Sequence, residues 1–313
     1  MRTIVECVPN FSEGRNHQVI DRIASAIESV TGLKVLHLDM DADYHRTVVT
    51  FVGEKERVGE GALRAIGKAT ELIDLNQHSG AHPRIGATDV VPFVPVRNVT
   101  LQDCVDIAHE VGKEAHRRFL TPVYLYEAAA IQPHRAQLEN VRRGQFEGIR
   151  SALSRQTSRL PDFGAGRLHP TAGAIAVGAR NFLIAYNINL ATPDVKLAKR
   201  IARAIRFSSG GLPHIKAIGL NLKTRMQAQV SINLTNFEVS PLQKVFDKVC
   251  HEAAYMGTKV TGSEIVGLVP RKALPPDFKS SLQLKDFRTD SIFENRLEEI
   301  LKQLSPESLT KPQ

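Results

Sequence analysis

Two stretches of this chain alternate so regularly between apolar and polar side chains that little freedom is left for their backbone. Over residues 182–190, Phe182, Ile184, Tyr186, Ile188 and Leu190 alternate with Ala185, Asn187 and Asn189. Over residues 226–234, Val230, Ile232 and Leu234 share one face, and Gln227, Gln229, Ser231 and Asn233 share the other. A period of two suits an extended strand with one buried face. Between these strands Thr192 or Asp194 caps a helix bearing Val195, Ala198, Ile201, Ala202 and Ile205, and residues 215–220 form a further strand. Pro241, at a first helical position, opens a helix with Leu242, Val245, Phe246, Val249 and Ala253, and a strand at 260–266 closes the set. The order is βαββαβ.

The first half follows the same plan with little shared sequence. A strand at 3–8 ends at Pro9, and Asn16 caps a helix with Val19, Ile20, Ile23, Ala24, Ile27 and Val30. Strands at 35–39 and 46–52 flank a polar turn at 41–44. A helix at 55–73 carries Val58, Ala62, Ala65, Ala69 and Ile73, and a strand follows at 90–94. The predicted fold class is α+β, with two ferredoxin-like (βαββαβ) subdomains whose mixed β-sheets face one another and whose helices lie on the outer faces. Residues 1–179 and 180–274 are the expected subdomains, with an arm and helix over 275–313 whose last residues are expected to be disordered. Helix-like stretches at 100–118 and 134–155 surround the apolar run 123–126, and a small-residue strand is expected at 172–179. Amides and a hydroxyl on a sheet face suit a polar cavity better than open solvent does. Asn187, Asn189, Gln227, Gln229, Ser231 and Asn233 are therefore candidate lining residues of a cleft between the halves.

The chemistry concentrates in residues 77–95, where His78, His82, Arg84 and Asp89 precede the apolar segment 90–95. Gly80 and Pro83 forbid a continuous helix, so these groups sit on an irregular loop. His78 and His82 are four apart, but with the helix broken and Ser79 in place of a glutamate, no zinc motif results. Neither a nucleophile elbow nor a phosphate loop is present, and Gly164-Ala165-Gly166 lacks the residues that would follow in the latter. General acid–base chemistry by a histidine remains, with Asp39, Asp41 and Asp89 at strand ends to orient it or to stabilise a cation. Turn formation and capping are the competing roles of these aspartates.

The net charge of +8 and pI near 9.5 raise nucleic acid as a partner. The basic residues, however, fall in scattered pairs without aromatic interleaving, and such an excess also suits a small polycarboxylate substrate. No run approaches the roughly 18 apolar residues of a membrane span, and no signal segment is visible at Met1, so a cytoplasmic protein is expected. Cys7, Cys104 and Cys250 are widely spaced and read as apolar fillers.

Several long motifs in one order carry a resemblance. Residues 5–14 (VECVPNFSEG), 80–93 (GAHPRIGATDVVPF), 122–126 (PVYLY), 161–164 (PDFG) and 178–190 (GARNFLIAYNINL) make the chain similar to the glutamate formimidoyltransferase family over roughly residues 3–274. The resemblance implies formimidoyl transfer from N-formimidoyl-L-glutamate to N5 of tetrahydrofolate in histidine breakdown, with tetrahydrofolate as co-substrate and no metal. It implies a cytoplasmic homodimer, and at this length a form without the cyclodeaminase part. The family's catalytic histidine falls on His82. Its folate-binding loop falls on Phe163, Gly164, Ala165, Gly166, Arg167, Leu168, His169, Pro170, Thr171 and Ala172. Asp39 and Asp41 are candidates to favour a cationic amidine, and Arg84 and Arg180 to bind substrate carboxylates, because a guanidinium fork matches a carboxylate. Arg167 and His169 in the loop, and the short turn at 41–45, depart from the family pattern and bear on ligand contacts.

Overall fold

The computed structural model describes residues 3–153, 156–284 and 286–303. The chain divides into two compact units, Met1–Asn181 and Phe182–Gln313. The expected disordered tail lies outside the described residues.

The first unit is built on β1 (Ile4–Cys7), β2 (Asn10–Phe11), α1 (His17–Glu28), β3 (Lys34–Asp41), β4 (Arg46–Gly53), α2 (Lys55–Leu72) and β5 (Thr88–Arg97). It continues through α3 (Leu101–Phe119), β6 (Val123–Glu127), α4 (Leu138–Val141), α5 (Gln145–Ala152) and β7 (Ile175–Ala179). β3 pairs antiparallel with β4, β4 with β1 and β2, and both of these with β5. β7 then adds parallel to β5, and β6 parallel to β7, so the seven-stranded sheet is mixed. Alternation decides the two faces. Val5, Cys7, Val49, Phe51, Val91, Phe93, Leu125 and Val177 turn to one side, where Ile20, Ile23, Ile27, Val58, Ala62, Ile66 and Val111 of the first three helices complete a core. Cys7 and Cys104 are buried free thiols within it, and Cys250 is a half-buried one.

Asn16 caps α1 by accepting the amides of Gln18 and Val19, and Thr100 with Asp103 forms a reciprocal capping box on α3. The expected helix over 134–155 is broken. A 3₁₀ turn at Pro133–Ala136, α4 and α5 replace it, because Gln137 is extended and Gly144 is left-handed at φ 84°. Val141, Ile149 and Leu153 from this broken segment cover Tyr124, Tyr126, Ala174 and Ala176 on the second face of the sheet.

The second unit comprises β8 (Ile184–Leu190), α6 (Val195–Ile205), β9 (Ile215–Leu222), β10 (Gln227–Leu234), α7 (Leu242–Tyr255) and β11 (Val260–Val266). The order β11-β8-β10-β9 is that of the split βαβ arrangement. Every pairing in it is antiparallel, so the mixed character expected of both sheets belongs to the first alone. Ile184, Tyr186, Ile188, Leu190, Val230, Ile232 and Leu234 bury against Ala198, Ile201 and Ile205 of α6 and Val245, Phe246 and Val249 of α7. Past Pro275 come the short helix α8 (Phe278–Ser281) and α9 (Phe293–Gln303), and Leu282 and Leu284 between them join this core. Among the described residues no helix is long and apolar enough to cross a membrane.

Candidate active site

His82 stands on the loop between α2 and β5, and the loop is held at several points. Ala81 donates its amide to the Asp43 carbonyl at 2.9 Å, and the Asp41 carboxylate accepts the Tyr44 amide at 2.7 Å, so the β3–β4 turn is closed and tied to the loop. Gly80 lies so near the Tyr44 carbonyl, and Gly86 so near the Ala174 carbonyl, that a Cβ at either position would overlap backbone. The Tyr44 ring meets the His82 ring at 5.5 Å between centroids, tilted by 34°. His82 Nδ1 lies 2.8 Å from the Pro83 carbonyl oxygen. A carbonyl only accepts, so Nδ1 carries the proton and Nε2 is the basic nitrogen.

The second histidine serves the loop itself. His78 stacks on His45 at 4.3 Å with planes 5° apart, and its Nε2 donates to the His45 carbonyl at 2.8 Å. Its Nδ1 accepts from Arg84 Nε at 3.2 Å. The His45 ring in turn reaches Glu13 through Nε2 at 3.1 Å. Arg84, buried, closes a bidentate pair with Glu147 at 2.7 and 2.8 Å and draws that carboxyl down to about 2. Its fork is thus filled from within the chain.

Around His82 lies a buried ionic cluster. Asp89 on β5 has no exposed surface; its Oδ1 accepts the Ile85 amide at 2.8 Å, and its Oδ2 accepts from Arg46 Nη1 at 2.6 Å and Arg142 Nη2 at 2.5 Å. Arg46 projects from β4 and also donates through Nε to Asn10 at 3.0 Å. Arg142 follows α4 directly. Burial alone would raise the Asp89 pKa, but Arg142, Arg46 and the hydrogen bonds bring it far below the usual carboxylate range. For Arg46 burial prevails, and its pKa falls to about 10. Burial, then Arg46 and Arg142, depress the His82 pKa well below its ordinary value, with Asp89 opposing. A neutral imidazole with a free basic nitrogen is what a general base at neutral pH requires.

Tyr126 and Glu6 extend this face. The Tyr126 phenol is buried and held undissociated. Glu6 points away from the helix-side core that holds its neighbours Val5 and Cys7, and burial lifts its pKa to about 7 against the pull of Arg180. Arg180 itself donates Nη1 to the Asn181 carbonyl at 3.0 Å. Asp39 lies on β3 with its carboxylate 3.9 Å from His37 Nε2, while Asp41 belongs to the turn that carries Tyr44.

The loop over residues 163–172 is pinned at both ends. Phe163 exchanges backbone hydrogen bonds with Val123, and Asp162 binds the Leu125 amide at 2.8 Å and Arg135 at 2.7 Å. At the other end His169 and Gly173 exchange backbone bonds, and the Ala172 amide donates to His169 Nδ1 at 3.0 Å. Leu168 packs beside the cluster under α5, the Thr171 carbonyl accepts from Leu75, and the Pro170 carbonyl from Asn76. Between these anchors Gly164 takes a φ of 122°, open to glycine, and Ala165 and Arg167 are exposed around Gly166.

In the second unit Asn187, Asn189 and Gln229 of the polar row are joined through Glu264 in one network. Gln229, fully buried, donates to Asn189 at 2.8 Å and to Glu264 at 3.0 Å; Asn187 donates to the same Glu264 oxygen at 3.0 Å. Gln227 reaches Thr261 at 2.8 Å, and Ser231 and Asn233 continue the row, half-buried. Glu264 centres this network and was not anticipated, although its place in the strand at 260–266 was. Arg46, Arg142, Glu6 and Tyr126 were also missed. A charge inside a β-branched strand was the one available signal for Arg46, and nothing local marked Arg142. Among the described residues no group of three or more histidine, cysteine or carboxylate side chains is arranged to hold a metal ion.

A neutral imidazole with Nε2 as its basic nitrogen, on a pinned loop of an α+β scaffold, is a group that general acid–base chemistry can use. Comparison with known proteins narrows this. The model described as "Formiminotransferase domain, N-terminal subdomain" matches residues 4–180, and that described as "Formiminotransferase domain" matches residues 185–286. The chain is 44% identical over 298 residues to a glutamate formimidoyltransferase of Streptococcus pyogenes serotype M1, covering 95% of this chain and 99% of the relative. A protein of the same name from Thermoplasma acidophilum is 42% identical over 298 residues, covering 95% and 98%. Formimidoyltransferase-cyclodeaminase of Gallus gallus is 46% identical over 280 residues, covering 88% of this chain and 51% of that longer relative. The chain belongs to the formiminotransferase family.

Proposed function

We propose that this protein transfers the formimidoyl group of N-formimidoyl-L-glutamate to N5 of tetrahydrofolate and releases L-glutamate, a step of histidine breakdown. The observation that carries the reading is the state of His82, neutral, with Nδ1 satisfied by Pro83 and Nε2 basic. N5 attacks the amidine carbon, and a C–N bond forms as His82 Nε2 takes the N5 proton. The tetrahedral intermediate then breaks its bond to the glutamate nitrogen, which leaves with the proton returned by the imidazolium. Asp39 or Asp41 favours the cationic amidine. The loop at 163–172 binds tetrahydrofolate, its exposed turn at Gly164, Ala165, Gly166 and Arg167 making the contacts. In the second unit the row Asn187, Asn189, Gln227, Gln229, Ser231 and Asn233 offers a polar surface to a ligand, with Gln229 and Asn187 buried as its support. Of the two arginines expected at substrate carboxylates, Arg180 fits better, since Glu147 already fills Arg84. The reaction needs no metal, and the working form is a cytoplasmic homodimer.

The test is turnover with N-formimidoyl-L-glutamate and tetrahydrofolate, followed by product absorbance, with N-formyl-L-glutamate in parallel. Transfer from the formimidoyl donor is expected. Transfer from the formyl donor alone would replace the substrate, and binding of folate without turnover from either would replace catalysis with a binding role.

A further inference from the structure

We propose that Arg142, backed by Arg46, is a binding site for a carboxylate group of the amino-acid donor, a role that rests on the transfer reading above. Two independent features point there. The first is charge. Arg46 and Arg142 share the single carboxylate of Asp89, and their side chains are 8% and 14% exposed, so one positive charge in excess is held largely out of water. The groups facing them do not cancel it: His82 is neutral, Tyr126 is held undissociated, and Asn10 is an amide. An uncompensated buried charge is costly, and an arriving anion removes that cost.

The second feature is an unmade hydrogen bond. Arg142 Nε is buried and has no partner among the described residues, whereas Arg142 Nη2 is bound to Asp89. Buried N–H groups almost always find acceptors, and an orphan of this kind on a cation suits a carboxylate oxygen. The position is also right for the chemistry. Asp89, which joins the two arginines, also accepts the Ile85 amide from the loop that carries His82, so an anion bound at Arg142 lies against the base of that loop. The donor's carboxylates flank the nitrogen that carries the transferred group. Holding one of them at Arg142 would set the amidine carbon against the attacking nitrogen.

The variants are Arg142→Gln and Arg142→Lys. Arg142→Gln leaves Asp89 and Arg46 as a neutral pair, so it is expected to fold, which circular dichroism checks. Its KM for N-formimidoyl-L-glutamate should rise about 10- to 100-fold, the worth of one charge-assisted hydrogen bond, while the KM for tetrahydrofolate stays within about twofold. Arg142→Lys, which keeps the charge without the Nε–H, should fall between. Glutarate, an unreactive dicarboxylate, should bind the wild-type protein in calorimetry and bind Arg142→Gln at least about tenfold more weakly. An unchanged donor KM and unchanged glutarate affinity in folded Arg142→Gln would overturn the site, as would equal rises in both KM values. Glutarate binding that depends on Arg142, in a protein that transfers no formimidoyl group, would fault the transfer reading and leave the carboxylate site standing.

Discussion

Replacing Glu6 by glutamine should leave the protein unchanged at pH 4.5 and below and stabilise it increasingly as the pH rises from there to about 7, with the full gain present above. Glu6 sits in the middle of β1, opposite Val52 and Val94, with 4% of its surface exposed. Burial raises its pKa from 4.5 to about 7, and Arg180 offsets only part of this. In the unfolded chain the carboxyl ionises near 4.5, so between that pH and about 7 the folded protein holds a proton that the unfolded chain has lost. The stabilisation from this proton is complete below the unfolded value and is lost as the pH rises through the folded one. At about 1.4 kcal/mol for each pH unit between the two ionisations, the deficit at pH 8 is at most about 3.5 kcal/mol. Glutamine keeps the shape and cannot ionise, so Glu6→Gln should remove that deficit. The chain has no tryptophan, which makes far-UV circular dichroism the natural probe for urea unfolding. Wild type and variant should coincide at pH 4.5 and separate progressively up to pH 8, the variant being the more stable. A difference that does not grow with pH, or one of opposite sign, would refute the argument from burial.

Four further outcomes follow from the site. His82→Gln should lower the transfer rate by about 10²–10⁴-fold with circular dichroism unchanged. Because burial and the two arginines hold the imidazole pKa down, the acid limb of kcat/KM should lie below pH 6.5 in the wild type and move up toward it in Arg142→Gln; a limb at 6.5 in both would contradict the electrostatic account. Asp89→Asn strips both guanidiniums of their counter-charge and should cost about 3–5 kcal/mol, seen as a lower urea midpoint. Gly86→Ala places a methyl group on the Ala174 and Thr88 carbonyl oxygens and should cost about 1–3 kcal/mol by the same assay, and a neutral result would mean that the loop is not held as described.

How far such a site can be foreseen depends on whether its residues obey a local rule. The strands were legible because a sheet that buries one face imposes a period of two, as at Tyr186, Ile188 and Leu190. The loop of His82 was legible because Gly80 and Pro83 exclude a helix. The segment 134–155 misled, since its apolar spacing is helical while Gly144 turns the chain at a left-handed dihedral. The parallel addition of β7 and β6 to the first sheet has no counterpart in the βαββαβ plan, and only pairing across the fold reveals it.

Charge pairing escaped the sequence for a deeper reason. Arg84 looked available because it stands beside the histidines, yet its partner Glu147 comes 63 residues later and occupies both arms of the fork. Arg46 and Arg142 looked unremarkable in sequence, yet they converge on Asp89 from 43 and 53 residues away. Whether a guanidinium is free for a ligand is set by the number of carboxylates that the fold brings to it, and no spacing in the chain encodes that number. Arg84 meets one carboxylate of its own and is satisfied. Arg142 must share one with Arg46 and, among the described residues, keeps a buried N–H unpaired, so the two arginines together hold one charge more than Asp89 cancels.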